Sequence, residues 1–92
     1  MTIAVTSLRR TTIGAIKSSA GRLYWITVVN DSASNGAIAL TDAIAAAGTT
    51  VWDLAVLLRD SKHVIFNPPR AFNTGIYLET LTNVTSVIAG YD

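Results

Sequence analysis

Histidine is the side chain that most often carries acid–base and metal chemistry near neutral pH, and this 92-residue sequence holds one, His63. A metal site with two histidines is therefore excluded. The sequence has no cysteine, so thiolate nucleophiles, disulfides and cysteine-based zinc sites are excluded as well. Because His63 stands in the strand-like stretch KHVIF, we interpret it as a side chain on a strand face or in solvent.

The carboxylates give no catalytic pattern. Six acids are spread singly, mostly at strand ends and turns, where solvated or capping roles are usual: Asp31, Asp42, Asp53, Asp60, Glu79 and Asp92. No G-x-S-x-G elbow or phosphate-binding glycine loop occurs, and DSASNG lacks the alternating ligands and terminal acid of a calcium loop. We therefore expect no catalytic residue, no bound cofactor or metal and no small-molecule substrate, which means that the chain is not an enzyme.

The composition indicates assembly instead. Half of the residues are hydrophobic and 14% are charged, whereas roughly 25% are charged in an average soluble domain. A domain of this size has a thin core, so we interpret the deficit of charge as surface hidden in an oligomer. The alternative is a monomer coated with Thr, Ser and Asn, in which this chain is rich.

Charge and hydropathy argue against two classes of partner. The net charge is +1 and only Arg9 and Arg10 are adjacent basic residues, so neutralisation of nucleic-acid phosphates is poorly supported. No apolar run approaches the roughly 20 residues that span a bilayer. The start, MTIAVTSLRR, has its charges after the apolar residues, the wrong order for a secretory signal. We expect no binding to nucleic acid or membrane, and a protein kept inside the cell that makes it.

Short β-branched runs separated by Gly, Asn, Asp and Ser predict an all-β chain. The only helical pattern, TDAIAAAG, has Thr41 or Asp42 as N-cap and Gly48 as C-cap, and it is too short to be stable on propensity alone. We predict a small antiparallel β-sandwich or jelly roll of about seven strands with at most one short helical turn. Residues 11–92 form a single domain, and residues 1–10 are either an extended arm or its first strand.

The stretch RLYWITVVN is the strongest strand signal. Strict alternation gives it two apolar faces, one with Tyr24, Ile26 and Val28 and the other with Leu23, Trp25 and Val29. One face meets the opposite sheet of a sandwich, and the other then needs a loop, a helix or another subunit as cover.

The segment FNPPRAF is typical of neither a central strand nor a catalytic loop. Pro68 and Pro69 donate no hydrogen bond to a ladder, so we predict an extended link between two strands. Two uses of its side chains stay open. Phe66 and Phe72 plug the open end of the sandwich, or the prolines rigidly present Arg70 and Phe72 to a partner, since aromatic residues and Arg are enriched at interface cores.

Three stretches carry a resemblance: GRLYWITVVNDSASNGAIALTD, FNPPRAFNTGIYLETL and VTSVIAGYD. In this order, between Gly21 and Tyr91, they resemble a group of small β-sandwich proteins encoded among the structural genes of tailed bacteriophages. The shared layout is a G-x-L-Y strand, N-x-S and a glycine turn, an L-x-D strand, an F-x-x-P…F-x-T-G-I segment and a last strand ending in G-Y. The resemblance implies a role on the head surface, where decoration, or cement, proteins of this kind sit as trimers at the junctions of capsid subunits.

These expectations combine into one hypothesis. The chain is a virion structural protein, a capsid decoration protein made in the host cytoplasm, which binds the major capsid protein as a homotrimer and stabilises contacts between capsid subunits. The predicted interface residues are Ile3, Val5, Leu8, Tyr24, Trp25, Phe66, Pro68, Pro69, Arg70 and Phe72. Two alternatives stay open: a tail or neck subunit, and a small carbohydrate-binding module with stacking platforms at Tyr24, Trp25, Trp52 and Tyr77.

Overall fold

The computed structural model describes residues 5–46 and 49–92 of the chain. Within these ranges the protein has eight β-strands and no helix, hence no helix long and apolar enough to cross a membrane. The strands coincide with the β-branched runs, and the Gly, Asn, Asp and Ser segments form turns. The strands are Thr6–Arg10 (β1), Gly14–Lys17 (β2), Gly21–Asn30 (β3), Gly36–Thr41 (β4), Thr50–Val56 (β5), Asp60–Phe72 (β6), Ile76–Thr82 (β7) and Ser86–Tyr91 (β8).

The strands form two four-stranded antiparallel sheets. Sheet 1 has the order β1-β8-β3-β6, and sheet 2 has the order β2-β7-β4-β5. The first strand pairs with the last, the second with the seventh, the third with the sixth and the fourth with the fifth. This is one long hairpin rolled into two layers, the jelly-roll form of the sandwich. The predicted all-β antiparallel fold is confirmed.

The beginning of the chain differs from the predicted layout. The stretch RTTIGAIKSS is not one strand, because a bend at residues 11–13 separates β1 from β2 and raises the strand number from about seven to eight. The Arg10 guanidinium holds this bend by donating to three backbone carbonyls, those of Thr12, Ile13 and Ala15. Of the two alternatives for residues 1–10, Thr6–Arg10 is the first strand of sheet 1, paired with β8. Residues 1–4 lie outside the described part.

The hydrophobic core lies between the two sheets. Its buried side chains are Ile16, Leu23, Ile26, Val28, Ile38, Leu40, Val56, Phe72, Ile76, Leu78, Val84, Val87 and Ala89. Ile38 and Leu40 of β4 point inward, and Trp52 and Leu54 pack against this cluster from β5. Phe72 is 2% exposed and is among the largest fully buried side chains. Burial of each methylene contributes about 0.8 kcal/mol, so Phe72 stabilises the fold from within.

A bulge in β3 decides which of its side chains face the core. Leu23 and Trp25 pair with successive residues of β8, so Tyr24 is an extra residue between them. Such an insertion exchanges the two faces of a strand. Leu23 is therefore buried with Ile26, while Trp25 lies on the outer side. The prediction that placed Leu23 on the same face as Trp25 was wrong for this reason.

The bulge is larger in the pairing of β3 with β6, its other neighbour. Four residues of β6, Phe66–Pro69, lie opposite Tyr24, because Leu23 pairs with Arg70 and Trp25 with Ile65. Because β6 is an edge strand, the missing N–H groups of the prolines cost no hydrogen bond of the ladder. The predicted link between two strands is thus a wide bulge inside one 13-residue strand.

Asp42 fastens the loop after β4. Residues 42–46 bend without forming a helix, and Gly48 lies outside the described residues. Instead of capping a helix, the Asp42 carboxylate accepts hydrogen bonds from the backbone N–H groups of Asn73, Thr74 and Gly75 at 2.9, 2.7 and 3.2 Å. The N–H groups of Asn73 and Thr74 lower the pKa of Asp42 most, from its ordinary value of 3.8.

We predict that Asp42→Asn lowers the thermal unfolding midpoint at pH 7. Because the folded-state pKa of Asp42 lies below the unfolded one, its charge stabilises the fold above pH 4, and that contribution disappears as the pH falls through the folded pKa. The difference between wild type and variant should therefore shrink between pH 5 and pH 2. Thermal unfolding across this range measures it, with Asp53→Asn on exposed β5 as the control. A difference that stays constant with pH contradicts the assignment.

An apolar groove on the outer face of sheet 1

The outer face of sheet 1, turned away from sheet 2, gathers large apolar side chains. Paired residues share a face, and the register aligns Trp25 with Ile65 on β6 and with Gly90 on β8. The next outward residue of β3, Thr27, lies beside Ile88. Together these strands form a shallow groove, here called the apolar groove, whose apolar lining consists of Val5, Trp25, Ile65, Phe66, Pro69 and Ile88.

The side chains of the apolar groove are exposed or half-buried. Ile65 is 70% exposed and Val5 is 43% exposed. The groove has a volume of about 800 Å³. A single exposed apolar residue is ordinary, whereas a contiguous apolar patch marks a surface that a partner covers. The groove is therefore the candidate binding surface of the protein.

The Trp25 indole lies over Gly90. A Cβ atom at position 90 would overlap the indole ring, so Gly90 creates the space in which the ring lies. On the other side, the His63 ring is 5.8 Å away between centroids, tilted by 35°. His63 Nδ1 and Thr27 Oγ1 share a hydrogen bond of 2.6 Å, which fixes the imidazole. The indole is thus held in place before any partner arrives, and a rigid aromatic side chain loses little entropy on binding.

Tyr24 forms one wall of the groove and is anchored away from it. Its hydroxyl donates to the Asp92 carboxylate at 2.8 Å, and the Arg22 guanidinium pairs with the same carboxylate and lies over the Tyr24 ring. Hydrogen bonds from Arg22 and then Tyr24 hold the pKa of Asp92 below its ordinary value. Burial first, and then the hydrogen bond to Asp92, raises the pKa of Tyr24. The tyrosine therefore stays protonated at neutral pH and presents only its ring.

Phe66 and Arg70 join the groove to sheet 2. The Phe66 ring meets Trp52 edge to face, with 5.3 Å between centroids and 74° between planes. The Arg70 guanidinium donates to the backbone carbonyl of Val51 at 2.8 Å. These two contacts connect edge strands β6 and β5, so this side of the sandwich is closed.

The structure divides the predicted interface residues into three groups. Val5, Tyr24, Trp25, Phe66 and Pro69 line the groove, with Pro68 exposed beside them. Phe72 is inside the core and is not available to a partner, whereas Leu8 packs against the core and is half-buried. Arg70 is exposed but bonded to Val51. Ile3 lies outside the described residues.

Five lining residues were missed: Thr27, His63, Ile65, Asn67 and Ile88. Alternation in KHVIFN does separate Ile65 from Val64, but only the pairing register shows that Ile65 lies next to Trp25. That register depends on the bulge at Tyr24. The sequence carries no direct signal for it.

The chemistry of the groove is that of apolar contact. Its polar groups are few, and Thr27 and His63 bond to each other. Among residues 5–46 and 49–92, no group of three or more His, Cys, Asp or Glu side chains is placed to hold a metal ion. The arrangement suits a partner that presents apolar side chains.

Comparison of the chain with protein-family models, with curated proteins and with solved structures finds no match. The functional argument therefore depends on the residues and their geometry.

We predict that Gly90→Ala displaces the Trp25 indole outward, because the added methyl group occupies the place of the ring. In a Trp52→Phe background, the emission of Trp25 should shift to longer wavelength as the ring meets more water. Ser86→Ala, a small substitution on the same strand, is the matched control and should leave the emission unchanged. Identical spectra for Gly90→Ala and its parent would show that Gly90 does not position the ring.

Proposed function

We propose that the protein is a capsid decoration protein that binds the outer head surface as a homotrimer and stabilises contacts between capsid subunits. The apolar groove carries the proposal: it is a wide, open surface centred on Ile65, which is 70% exposed. An isolated domain gains nothing from such a surface, whereas an assembly buries it. Burial of apolar area contributes roughly 25 cal/mol per Å².

The composition supports the same reading. Charged residues make up 14% of the chain, and part of the exposed surface is formed by large apolar side chains instead. The resemblance of the segments between Gly21 and Tyr91 to phage decoration proteins supplies the virion context. Jelly rolls occur in viral capsid proteins and in lectins alike, so the fold alone does not choose between a structural and a sugar-binding role.

A carbohydrate-binding role is favoured by one observation, the flat Trp25 indole in an open groove. Sugars also need several hydrogen-bonding groups around the stacking ring, and in this groove Thr27 and His63 satisfy each other. Trp52, the second tryptophan, packs on Phe66 instead of standing free. A protein partner therefore fits better. A tail or neck subunit would use the same groove but form rings or tubes larger than a trimer.

Ile65→Asp should convert the trimer to a monomer at micromolar concentration, because a carboxylate would be buried without a partner at the subunit contact. Since Ile65 is exposed in the single chain, the variant monomer should keep the wild-type fold, with a thermal midpoint lowered only by the loss of the subunit contacts. Sedimentation velocity measures the mass. Ala55→Asp places the same carboxylate on the exposed outer side of β5 and should leave the trimer intact. A trimer that survives Ile65→Asp removes the groove from the subunit contact.

The decoration role itself is tested with empty shells of the major capsid protein encoded by the same genome. The wild-type protein should co-sediment with the shells, saturate in multiples of three chains and raise the temperature at which the shells fall apart. An array of glycans should remain unbound. Binding to glycans without binding to shells would favour the carbohydrate-binding role.

A further inference from the structure

A trimer limits how its subunits meet, and the present inference depends on the proposed homotrimer. A patch that contacts the same patch of a second copy has two-fold symmetry and stops at two chains. A closed ring of three needs a heterologous contact, in which the apolar groove of one copy meets a different patch of the next. That second patch must be exposed and apolar on the same chain.

In the part of the chain that the structure describes, two neighbouring large apolar side chains are exposed together at one place outside the groove. This place is the turn between β5 and β6, where Leu57 is 60% exposed and Leu58 is 48% exposed. The other exposed large apolar side chains outside the groove stand singly, at Ile13, Ile44 and Val51. We call residues Leu57 and Leu58 the leucine turn.

The leucine turn is held by hydrogen bonds to two asparagine side chains, of which Asn30 is buried. Asn30 is 1% exposed, and its amide donates to the carbonyls of Val56 and Leu57 at 3.1 and 3.2 Å. The side-chain oxygen of Asn35 accepts the Leu58 N–H at 3.1 Å. A turn fixed in this way presents its two leucines in one conformation and loses little entropy when a partner covers them.

The leucine turn is flanked by two opposite charges, Arg59 and Asp31. Arg59 follows in the left-handed region with φ of 51°, which reverses the chain, and its N–H donates to the Ser32 carbonyl. Its guanidinium lies 3.9 Å from Asp31, and the two side chains are 65% and 78% exposed. The described lining of the apolar groove contains no Asp, Glu, Lys or Arg. The leucines would therefore meet mainly apolar side chains in the groove.

The leucine turn and the apolar groove lie too far apart for one copy to fill its own groove. β6 begins at Asp60, just after the turn, and Ile65 lies five residues farther along the strand. At 3.3 Å per residue this is about 17 Å. The leucine turn thus lies toward one end of the strand and the groove toward the other, which is the arrangement that a head-to-tail contact requires.

We propose that the leucine turn of each copy enters the apolar groove of the next copy and packs against Trp25 and Ile65. Three such contacts close the ring. The groove, at about 800 Å³, has room for both leucine side chains. Two elements that are each apolar, exposed and held rigid before contact form the subunit interface.

Disulfide cross-linking tests this contact directly, because the chain has no cysteine of its own. A disulfide requires Cα atoms within about 7 Å, so Leu58→Cys and Ile65→Cys cannot join within one chain. Oxidation of an equimolar mixture of the two single variants should give cross-linked pairs, and neither variant alone should. A chain carrying both cysteines should give covalent trimers. Ile44→Cys replaces Leu58→Cys in the control mixture and should give no pairs.

Each other outcome has a distinct meaning. Pairs from Ile65→Cys alone would show that groove meets groove, which overturns the inference. No pairs in any mixture, from a protein whose mass is three chains, would also overturn it while leaving the homotrimer in place. A covalent ladder longer than three from the double variant would support the contact of turn and groove but contradict the closed trimer.

A second variant removes the apolar projection without touching the groove. Leu57→Ser combined with Leu58→Ser should reduce the native mass from three chains to one, while the far-UV circular dichroism spectrum should stay that of the wild type, because both side chains are exposed in the single chain. Ile13→Ser and Ile44→Ser are the matched controls and should remain trimeric. A trimeric Leu57→Ser, Leu58→Ser variant would refute the role of the leucine turn.

Discussion

The bulge at Tyr24 is the constraint on which the rest of the structure depends. Side chains alternate along a strand, so Leu23 and Ile26 face the same core only if one extra residue stands between them. Tyr24 is that residue on β3, and Phe66–Pro69 bulge opposite it on β6. Without this insertion either Leu23 would leave the core or Trp25 would enter it. The core and the apolar groove therefore have a common origin in one irregularity.

Polar groups hold the groove wall and the leucine turn in place. Asp92 anchors Tyr24 and Arg22 at one wall of the groove, and Asn30 anchors the leucine turn at the other end of the sheet. Because these polar groups already have hydrogen-bond partners within the chain, the apolar side chains are what remains for a partner. A small jelly roll with few charges is then well suited to assembly, in which neighbouring copies supply the burial that 92 residues cannot provide alone.

Much of the fold followed from the sequence, because β-branched runs and turn residues are local signals. Alternation correctly placed Ile26 and Val28 on one face of β3, and both are buried. It failed at Leu23, because the bulge at Tyr24 changes which side chains of β3 face the core and no Gly or Pro stands next to Tyr24. Alternation also could not show that Ile65 is the neighbour of Trp25. Phe72 was assigned both to the core and to an interface, and only its burial at 2% exposure decided for the core. Cross-strand neighbours depend on register, which composition does not encode.

The central claim is that the exposed apolar surface is covered by other copies of the same chain. Sedimentation equilibrium of the wild-type protein, from tens of micromolar downward, tests it most directly. We expect one species of three times 9.8 kDa that dissociates to single chains only on strong dilution. A monomer at tens of micromolar would contradict it, because the groove and the leucine turn would then remain exposed to water in the free protein.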